Sequence, residues 1–129
     1  MESAHCVASG SLLKFSEQQL VDCVTFCFGC HGGNTDMAFH YYQNYYAMSE
    51  ASYGYKALNQ TCKYDANNTT GVFCQTWHQV TPDSPNLMKD NLMNQPLSVA
   101  IQANQIAFQT YTSGIFSDTS CGVNLDHAV

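Results

Sequence analysis

Three cysteines and a histidine lie within one short stretch of the chain, at Cys23, Cys27, Cys30 and His31. These are the side chain types that hold structural zinc, and their spacing suits such a site. The end of the stretch also matches the C-x-x-C-H motif, in which two thiols attach a c-type haem and the histidine ligates its iron. A third alternative is a disulfide framework, which ties the thiols to cysteines elsewhere. These residues alone leave the three alternatives open.

A short helix is predicted immediately before this cluster. Ser16 can cap the free N–H groups at the start of the helix, and Gln19 stands at the reciprocal position of a capping box. Leu20 and Val21 give the helix apolar side chains to bury. The pair Gly32–Gly33 follows the cluster, and its lack of side chains lets a strand, a disulfide or an extended peptide approach the backbone closely.

The remaining elements indicate an α+β fold. A helix over residues 1–9 is closed by Gly10, and Ser84 followed by Pro85 is typical of a helix start. Helices dominate the first half of the chain and strands the second, which is the α+β pattern. The predicted helices cover residues 1–9, 34–46 and 84–94 with a helical turn at 108–111, and the predicted strands cover 72–80, 97–103 and 125–129.

The charge balance excludes two classes of partner. Four lysines, no arginine and ten acidic residues give a net charge of −6. A nucleic-acid-binding surface and an anionic membrane surface both require basic residues, so neither is an expected partner. The sequence also has no apolar run of the roughly 18 residues that a membrane span needs.

Cysteine usage points to an oxidising compartment. The chain has seven cysteines, an odd number, so at least one is free or pairs outside these residues. Sequons for N-glycosylation start at Asn59, Asn67 and Asn68, and together with the cysteines they favour the secretory route. The first residues lack the basic and apolar regions of a signal peptide, which suggests that the chain begins inside a longer protein.

Several motifs then resemble one family in order along the chain. The segment SEQQLVDC at 16–23, followed by GCHGG at 29–33, looks like the papain-like cysteine peptidases. The resemblance continues through QPLSVA at 95–100, SGIF at 113–116 and LDHAV at 125–129, and it covers essentially the whole chain. It implies a partial papain-like fold of the α+β class. Residues 1–80 would belong to the helical left domain, and residues 81–129 to an incomplete β-rich right domain.

The resemblance implies peptide-bond hydrolysis by a cysteine and histidine pair. In this family a cysteine thiolate attacks the peptide carbonyl, and a histidine acts as general base and then as general acid. His127 matches that histidine. The family's Gly-Ser-Cys-Trp nucleophile motif does not occur in these residues, nor do its oxyanion-hole Gln and orienting Asn. Cys6 matches an apolar position and is expected to be a buried free thiol. The chain alone is therefore expected to be an inactive portion of an endopeptidase.

The resemblance also implies residues that bind substrate. Gly32 and Gly33 match a pair whose backbone binds an extended peptide as an added strand. Asp126 matches a position whose backbone carbonyl faces the substrate. The pocket for the second residue before the scissile bond would be lined by four residues, namely Thr35, Ala100, Leu125 and Ala128. The family needs no metal or cofactor for this chemistry.

The family pattern further implies a disulfide between Cys23 and Cys62. Cys30 and Cys121 would pair with cysteines outside these residues. Cys27 and Cys74 are extra to the usual pattern, and one expectation is that they pair with each other. Expected partners are a peptide or protein substrate and the remainder of the peptidase or an inhibitory propeptide. The expected location is the secretory pathway, ending in a lysosome, a vacuole or the extracellular space.

Two alternatives to a peptidase portion follow from the same observations. One is a non-catalytic papain-like paralogue that serves as a binding or structural subunit. The more remote one is the c-type haem or zinc module on Cys27, Cys30 and His31.

Overall fold

The computed structural model describes all residues from Met1 to Val129. Its contacts divide the chain into two units, Met1–Pro96 and Leu97–Val129. No helix in the chain is both long enough and apolar enough to cross a bilayer. The elements in chain order are α1 (Glu2–Ser9), α2 (Glu17–Cys23), a 3-10 turn (Gly29–His31), α3 (Thr35–Asn44), α4 (Pro85–Leu92), β1 (Ala100–Ile101), α5 (Ile106–Gln109) and β2 (His127–Ala128).

The core of the first unit consists of two small clusters. One contains Phe15, Tyr42 and Ala47, and the other contains Met48, Tyr53 and the disulfide-bonded Cys23. The segment after α3 lies alongside the segment before α2, where Phe15 forms an antiparallel bridge with Ser49. Burying each large apolar side chain stabilises the fold by about 1.5–3 kcal/mol, so these residues anchor both segments.

Helix α2 begins where the sequence predicts, but its buried face is polar. The Ser16 hydroxyl accepts a hydrogen bond from the Gln19 backbone N–H (2.9 Å), as a capping serine does. The prediction of a reciprocal capping bond at Gln19 is wrong. Its carboxamide oxygen instead accepts from the Met48 N–H (2.8 Å). Leu20 and Val21 are only half-buried, whereas Gln18 and Gln19 are fully buried. The helix therefore buries carboxamides that bind distant backbone groups.

The helices at the start of the chain and after the glycine pair agree with the sequence. Helix α1 ends at Ser9, and Gly10 closes it in the left-handed conformation (φ 74°). Helix α3 is N-capped by Asn34, although its side chain makes no capping bond. Of the tyrosines expected on one face of α3, only Tyr42 is buried. The others form a partly exposed aromatic surface.

The strand predicted over residues 72–80 is wrong. This segment is irregular and contacts the end of α3 through its backbone. The Val72 carbonyl accepts from the Ala47 N–H (2.7 Å), and the Cys74 N–H donates to the Tyr42 carbonyl (2.8 Å). Because these partners lie at a helix end and in a loop, the segment pairs with no neighbouring strand.

The second unit contains one antiparallel strand pair. Ala100 lies opposite Ala128, and Ile101 lies opposite His127. Val99 and Val129 exchange two further backbone hydrogen bonds (2.8 and 2.9 Å), so the pairing extends one residue beyond the regular strands. The pair lies within the two strands predicted at 97–103 and 125–129. Helix α5 begins two residues before the predicted turn at 108.

Helix α4 begins at Pro85 as the sequence predicts. By its contacts it lies in the first unit, whereas the boundary expected from the sequence falls near residue 80. The assignment of residues 1–80 and 81–129 to two domains stays a prediction.

Candidate functional site

His127 is held by the backbone of the strand pair and not by its own side chain. It lies opposite Ile101, and Val129, two residues further along, is fixed by two backbone bonds to Val99. The residue is exposed, and no hydrogen bond to the imidazole occurs within the chain. The strand pair therefore fixes the backbone of His127, and its exposed ring has no hydrogen-bond partner within these 129 residues.

Asp126 joins the two strands immediately before the histidine. Its N–H donates to the Ile101 carbonyl (3.0 Å), and its carboxylate accepts from the Ala103 N–H (2.7 Å). The sequence predicts a role for the backbone carbonyl of this residue only. The structure adds that its side chain fixes the residues that follow β1.

Gln102 is a supporting residue that the sequence does not indicate. It is the buried polar side chain of the second unit, and its carboxamide oxygen accepts from the Asn124 N–H (3.0 Å). Its nitrogen donates to the Asn104 side chain (3.0 Å). The bond to Asn124 fixes the loop that leads to His127. Because the two residues lie far apart in the sequence, no local pattern could predict their contact.

The glycine pair in the first unit is exposed, and its two members differ. Gly32 has φ 111°, which glycine adopts without strain. Its carbonyl accepts from the Phe28 N–H (2.9 Å), and its N–H donates to the Gly29 carbonyl (3.2 Å). The N–H and carbonyl of Gly33 make no hydrogen bond within the chain. Gly33 therefore offers both backbone groups to an outside partner.

The Cys27 side chain leaves no room for a side chain at residue 33. A Cβ atom added to Gly33 would lie 2.6 Å from Cys27 Sγ and 2.8 Å from Cys27 Cβ. Both are shorter than real contacts of this kind, so a side chain at position 33 would displace the backbone or the thiol. Thr35 follows as the first residue of α3 and is half-buried.

The other residues expected to line a substrate pocket lie in the second unit. Ala100 and Ala128 are register partners in the strand pair, and both are exposed. Leu125 precedes β2 and is also exposed, at 64%. The strand pair therefore brings the first two together with Asp126 and His127, while Thr35 and the glycine pair belong to the first unit.

The disulfides agree with the family pattern at one pair and depart from the expectation at another. Cys23 and Cys62 form a disulfide. The expected bond between Cys27 and Cys74 is not formed, and both thiols are free. Each approaches a different backbone carbonyl, Cys27 that of Asn34 (4.0 Å) and Cys74 that of Thr76 (3.5 Å).

The other three cysteines are also free thiols. Cys6 is half-buried and not fully buried as expected. Cys30 and Cys121 are exposed. Their pairing with cysteines outside these residues stays a prediction.

The zinc alternative loses one of its four ligands, because Cys23 is oxidised in the disulfide and is not a thiolate. No group of three or more His, Cys, Asp or Glu side chains is arranged to hold a metal ion. Cys27 and Cys30 are free thiols in the C-x-x-C-H segment.

The class of protein follows from three features taken together. They are an α+β fold, a disulfide at the end of a capped helix, and a histidine in an exposed antiparallel strand pair. The sequence model described as "Papain family cysteine protease" matches residues 1–129. The chain therefore belongs to the papain family of cysteine proteases.

Individual relatives agree with this assignment. The chain is 41% identical to cysteine proteinase 5 of Dictyostelium discoideum over 99% of its length, and 40% identical to the probable cysteine protease RD21B of Arabidopsis thaliana over its whole length. It spans only 38% and 28% of these two relatives. Among solved structures, bromelain from Ananas comosus in complex with the E64 inhibitor superposes with a TM-score of 0.83 at 36% identity, covering 98% of this chain and 58% of bromelain.

Proposed function

We propose that the protein containing this chain is a cysteine-type endopeptidase in which His127 is the general base and general acid. The observation that carries the proposal is the geometry of His127. Its backbone is fixed in an antiparallel pair, while its imidazole is exposed and free of internal partners. A general base needs a fixed position and an available nitrogen, and both conditions are met here.

The proposed reaction has two covalent steps. The imidazole of His127 takes the proton of a cysteine thiol that lies outside these 129 residues, and the thiolate attacks the peptide carbonyl carbon. The imidazolium then gives its proton to the departing amine as the C–N bond breaks. Water, deprotonated by the same imidazole, hydrolyses the resulting thioester and releases the acid. Because these residues contain no Gly-Ser-Cys-Trp segment, we expect no hydrolysis from the 129 residues alone.

Gly33 is the proposed contact for the substrate backbone. Its N–H and carbonyl have no partner within the chain, and together they can pair with one residue of an extended peptide. Gly32 supports this role by holding the turn, since its own backbone groups bind Phe28 and Gly29. In this proposal, a segment of the peptide or protein substrate pairs with the glycine pair as an added strand.

The second unit supplies three of the residues proposed to contact the second residue before the scissile bond. Ala100 and Ala128 supply methyl groups, and Leu125 supplies an exposed apolar side chain. Asp126 contributes its backbone carbonyl at the edge of the pocket. In the first unit, Thr35 is the matching polar residue, and its hydroxyl favours a substrate side chain that can accept or donate a hydrogen bond.

The proposed location is the secretory pathway, with a lysosome, a vacuole or the extracellular space as the destination. The Cys23–Cys62 disulfide supports it, because such bonds persist in oxidising compartments. There Cys30 and Cys121, both exposed, would pair with cysteines in the rest of the peptidase. An inhibitory propeptide is a further proposed partner.

The test compares His127→Ala with His40→Ala in the full natural protein. General acid–base catalysis contributes roughly a hundredfold to ten-thousandfold, so His127→Ala should lower kcat for peptide hydrolysis by at least that factor. His40 is an exposed histidine on α3 whose ring contacts Gln43, and its replacement should leave kcat unchanged. Wild-type activity in the His127→Ala protein would overturn the assignment.

A further inference from the structure

The asparagines of two of the three sequons lie in one exposed turn, which follows Cys62 and precedes the irregular segment at residues 72–80. The Asn68 N–H donates to the Asp65 carbonyl (3.1 Å), which closes a turn over residues 65–68. The Asp65 carboxylate accepts from the Asn67 N–H (2.9 Å). Asn67 is thereby held at an exposed turn by its own N–H and by the N–H of Asn68. Modification of its side chain would leave these backbone bonds intact.

The Asn67 carboxamide makes few contacts that glycosylation would break. Its nitrogen makes one contact within the chain, to the Asp65 carboxylate at 3.4 Å, which is long for a hydrogen bond. A glycosylated carboxamide nitrogen keeps one N–H, so even this contact can persist. The sequon requires Thr69, whose hydroxyl makes no hydrogen bond within the chain.

The overlapping sequon at Asn68 is less suited because its third residue is structural. The Thr70 hydroxyl donates to the Ala47 carbonyl (2.8 Å) and accepts from the Val72 N–H (3.3 Å). The Thr70 N–H also donates to the Ala47 carbonyl (2.8 Å). An enzyme that must engage this hydroxyl competes with a half-buried contact that fixes the chain after α3.

The third sequon starts at Asn59, whose carboxamide is part of the fold. Its oxygen accepts from the Cys30 N–H (2.8 Å). Its nitrogen faces Gly29 so closely that a Cβ atom added there would lie 2.9 Å from it. A sugar on this nitrogen would extend from an atom that already packs against the backbone beside the glycine pair.

We infer that Asn67 is the N-glycosylation site of this chain and that Asn59 and Asn68 stay unmodified. In the transfer, Asn67 Nδ2 forms a bond to the anomeric carbon of a lipid-diphosphate-linked oligosaccharide. The bond from that carbon to the diphosphate oxygen breaks, the lipid diphosphate leaves, and the nitrogen loses one proton. The inference rests on the proposed secretory route, because the oligosaccharide donor is found there.

The test is site mapping on the full protein produced through a eukaryotic secretory pathway. Peptide-N-glycosidase converts a glycosylated asparagine to aspartate, and the mass of the peptide locates the change. Aspartate at position 67 alone is the expected result. Aspartate at 59 or 68, or no converted residue in secreted protein, overturns the inference.

Matched variants separate the two overlapping sequons. Thr69→Ala removes only the sequon of Asn67 and should remove the glycan, whereas Thr69→Ser should retain it. Asn68→Gln removes only the second sequon and should leave the glycan in place. Loss of the glycan in Asn68→Gln, or in Asn59→Gln, would contradict the assignment.

Peptide hydrolysis by the same preparation distinguishes this inference from the proposed function. An active peptidase without a glycan at Asn67 overturns only the modification site. A protein that carries the glycan but does not hydrolyse peptides overturns only the proposed activity.

Discussion

Gln18 and Gln19 are adjacent on α2, fully buried, and hydrogen-bonded at both ends of their carboxamides. Gln18 accepts from the Lys56 N–H (2.8 Å) and donates to the Leu58 carbonyl (2.7 Å). Gln19 binds the segment after α3 in the same way. Removing one partner of such a bond leaves a buried group unsatisfied, which costs about 1–3 kcal/mol. At the scale of single residues, satisfied polar contacts therefore specify how loops attach to α2.

Tyr53 belongs to the same buried set and connects three segments. Its hydroxyl donates to the Asp22 carboxylate (2.6 Å) and accepts from the Lys63 N–H (3.1 Å). Burial, and next the bond to Asp22, raise the pKa of Tyr53 to about 12 from an ordinary value of 10.0. The unfolded chain therefore loses this proton at lower pH than the folded protein does.

The sign of the pH dependence follows from that difference. The contribution of Tyr53 to stability is fully present below about pH 10 and is lost as pH rises through about 12. Tyr53→Phe should lower the free energy of unfolding by roughly 1.5–3 kcal/mol at neutral pH, since a bond to a charged group is lost. It should also reduce the fall in the free energy of unfolding as pH rises from about 10 to about 12, as measured by urea unfolding across this pH range.

Tyr55→Phe is the control for this experiment. Tyr55 is exposed, and its hydroxyl makes no hydrogen bond within the chain. An alkaline decline of equal slope in wild type and Tyr53→Phe would contradict the proposed role of the Tyr53 phenol.

At the scale of elements, the sequence predicts best what depends on neighbouring residues. Helix α2 starts at its capping serine, α1 ends at Gly10, and α4 begins at Pro85, each as its local signal indicates. The segment 72–80 fails because its partners are a helix end and a loop. The residue types of a segment can favour an extended backbone, but they do not show whether a strand is available to pair with it.

The candidate site likewise has parts that the sequence predicts and parts that it does not. The segment LDHAV and the glycine pair can be recognised from the sequence, because their residue types are specific. The support from Gln102 and the contact of Cys27 with Gly33 depend on which segments meet in space. The bond expected between Cys27 and Cys74 is wrong for this reason, because an even number of leftover cysteines does not fix their separation.

Two serines at equivalent helix starts provide a test at this scale. Ser16 accepts from the Gln19 N–H and donates to the Tyr53 carbonyl (2.6 Å), whereas Ser84 at the start of α4 makes no side-chain capping bond. Ser16→Ala should lower the free energy of unfolding by about 1–2 kcal/mol or slightly more. Ser84→Ala should change it by less than about 0.5 kcal/mol. The measurement is urea unfolding of the full protein.

The comparison between the two serines removes the effect of the substitution itself. Equal losses for both variants would show that the capping contact of Ser16 adds nothing. A larger loss for Ser84→Ala would contradict the assignment of the caps.

At the scale of the whole molecule, the buried apolar residues all lie in the first unit and are few. They are Phe15, Cys23, Val24, Tyr42, Ala47, Met48 and Tyr53. Two small clusters give less stabilisation than one large core, and part of the buried surface is polar. Within these 129 residues, a covalent bond between distant segments therefore adds to a core that is small and partly polar.

The Cys23–Cys62 disulfide is that bond, and it closes a loop with a sequence separation of 39 residues. Constraining an unfolded loop of this length is worth roughly 3–4 kcal/mol in the chain-entropy treatment. The double variant Cys23→Ala with Cys62→Ala should lose about that much stability in urea unfolding of the full protein. Cys74→Ser is the control, because Cys74 is a free thiol whose bond to the Thr76 carbonyl a serine can keep. If the double variant unfolds at the same urea midpoint as wild type, the disulfide is not needed to hold the loop. The buried polar contacts of α2 would then hold it, and Tyr53→Phe and Ser16→Ala should lower the free energy of unfolding more than the double variant does.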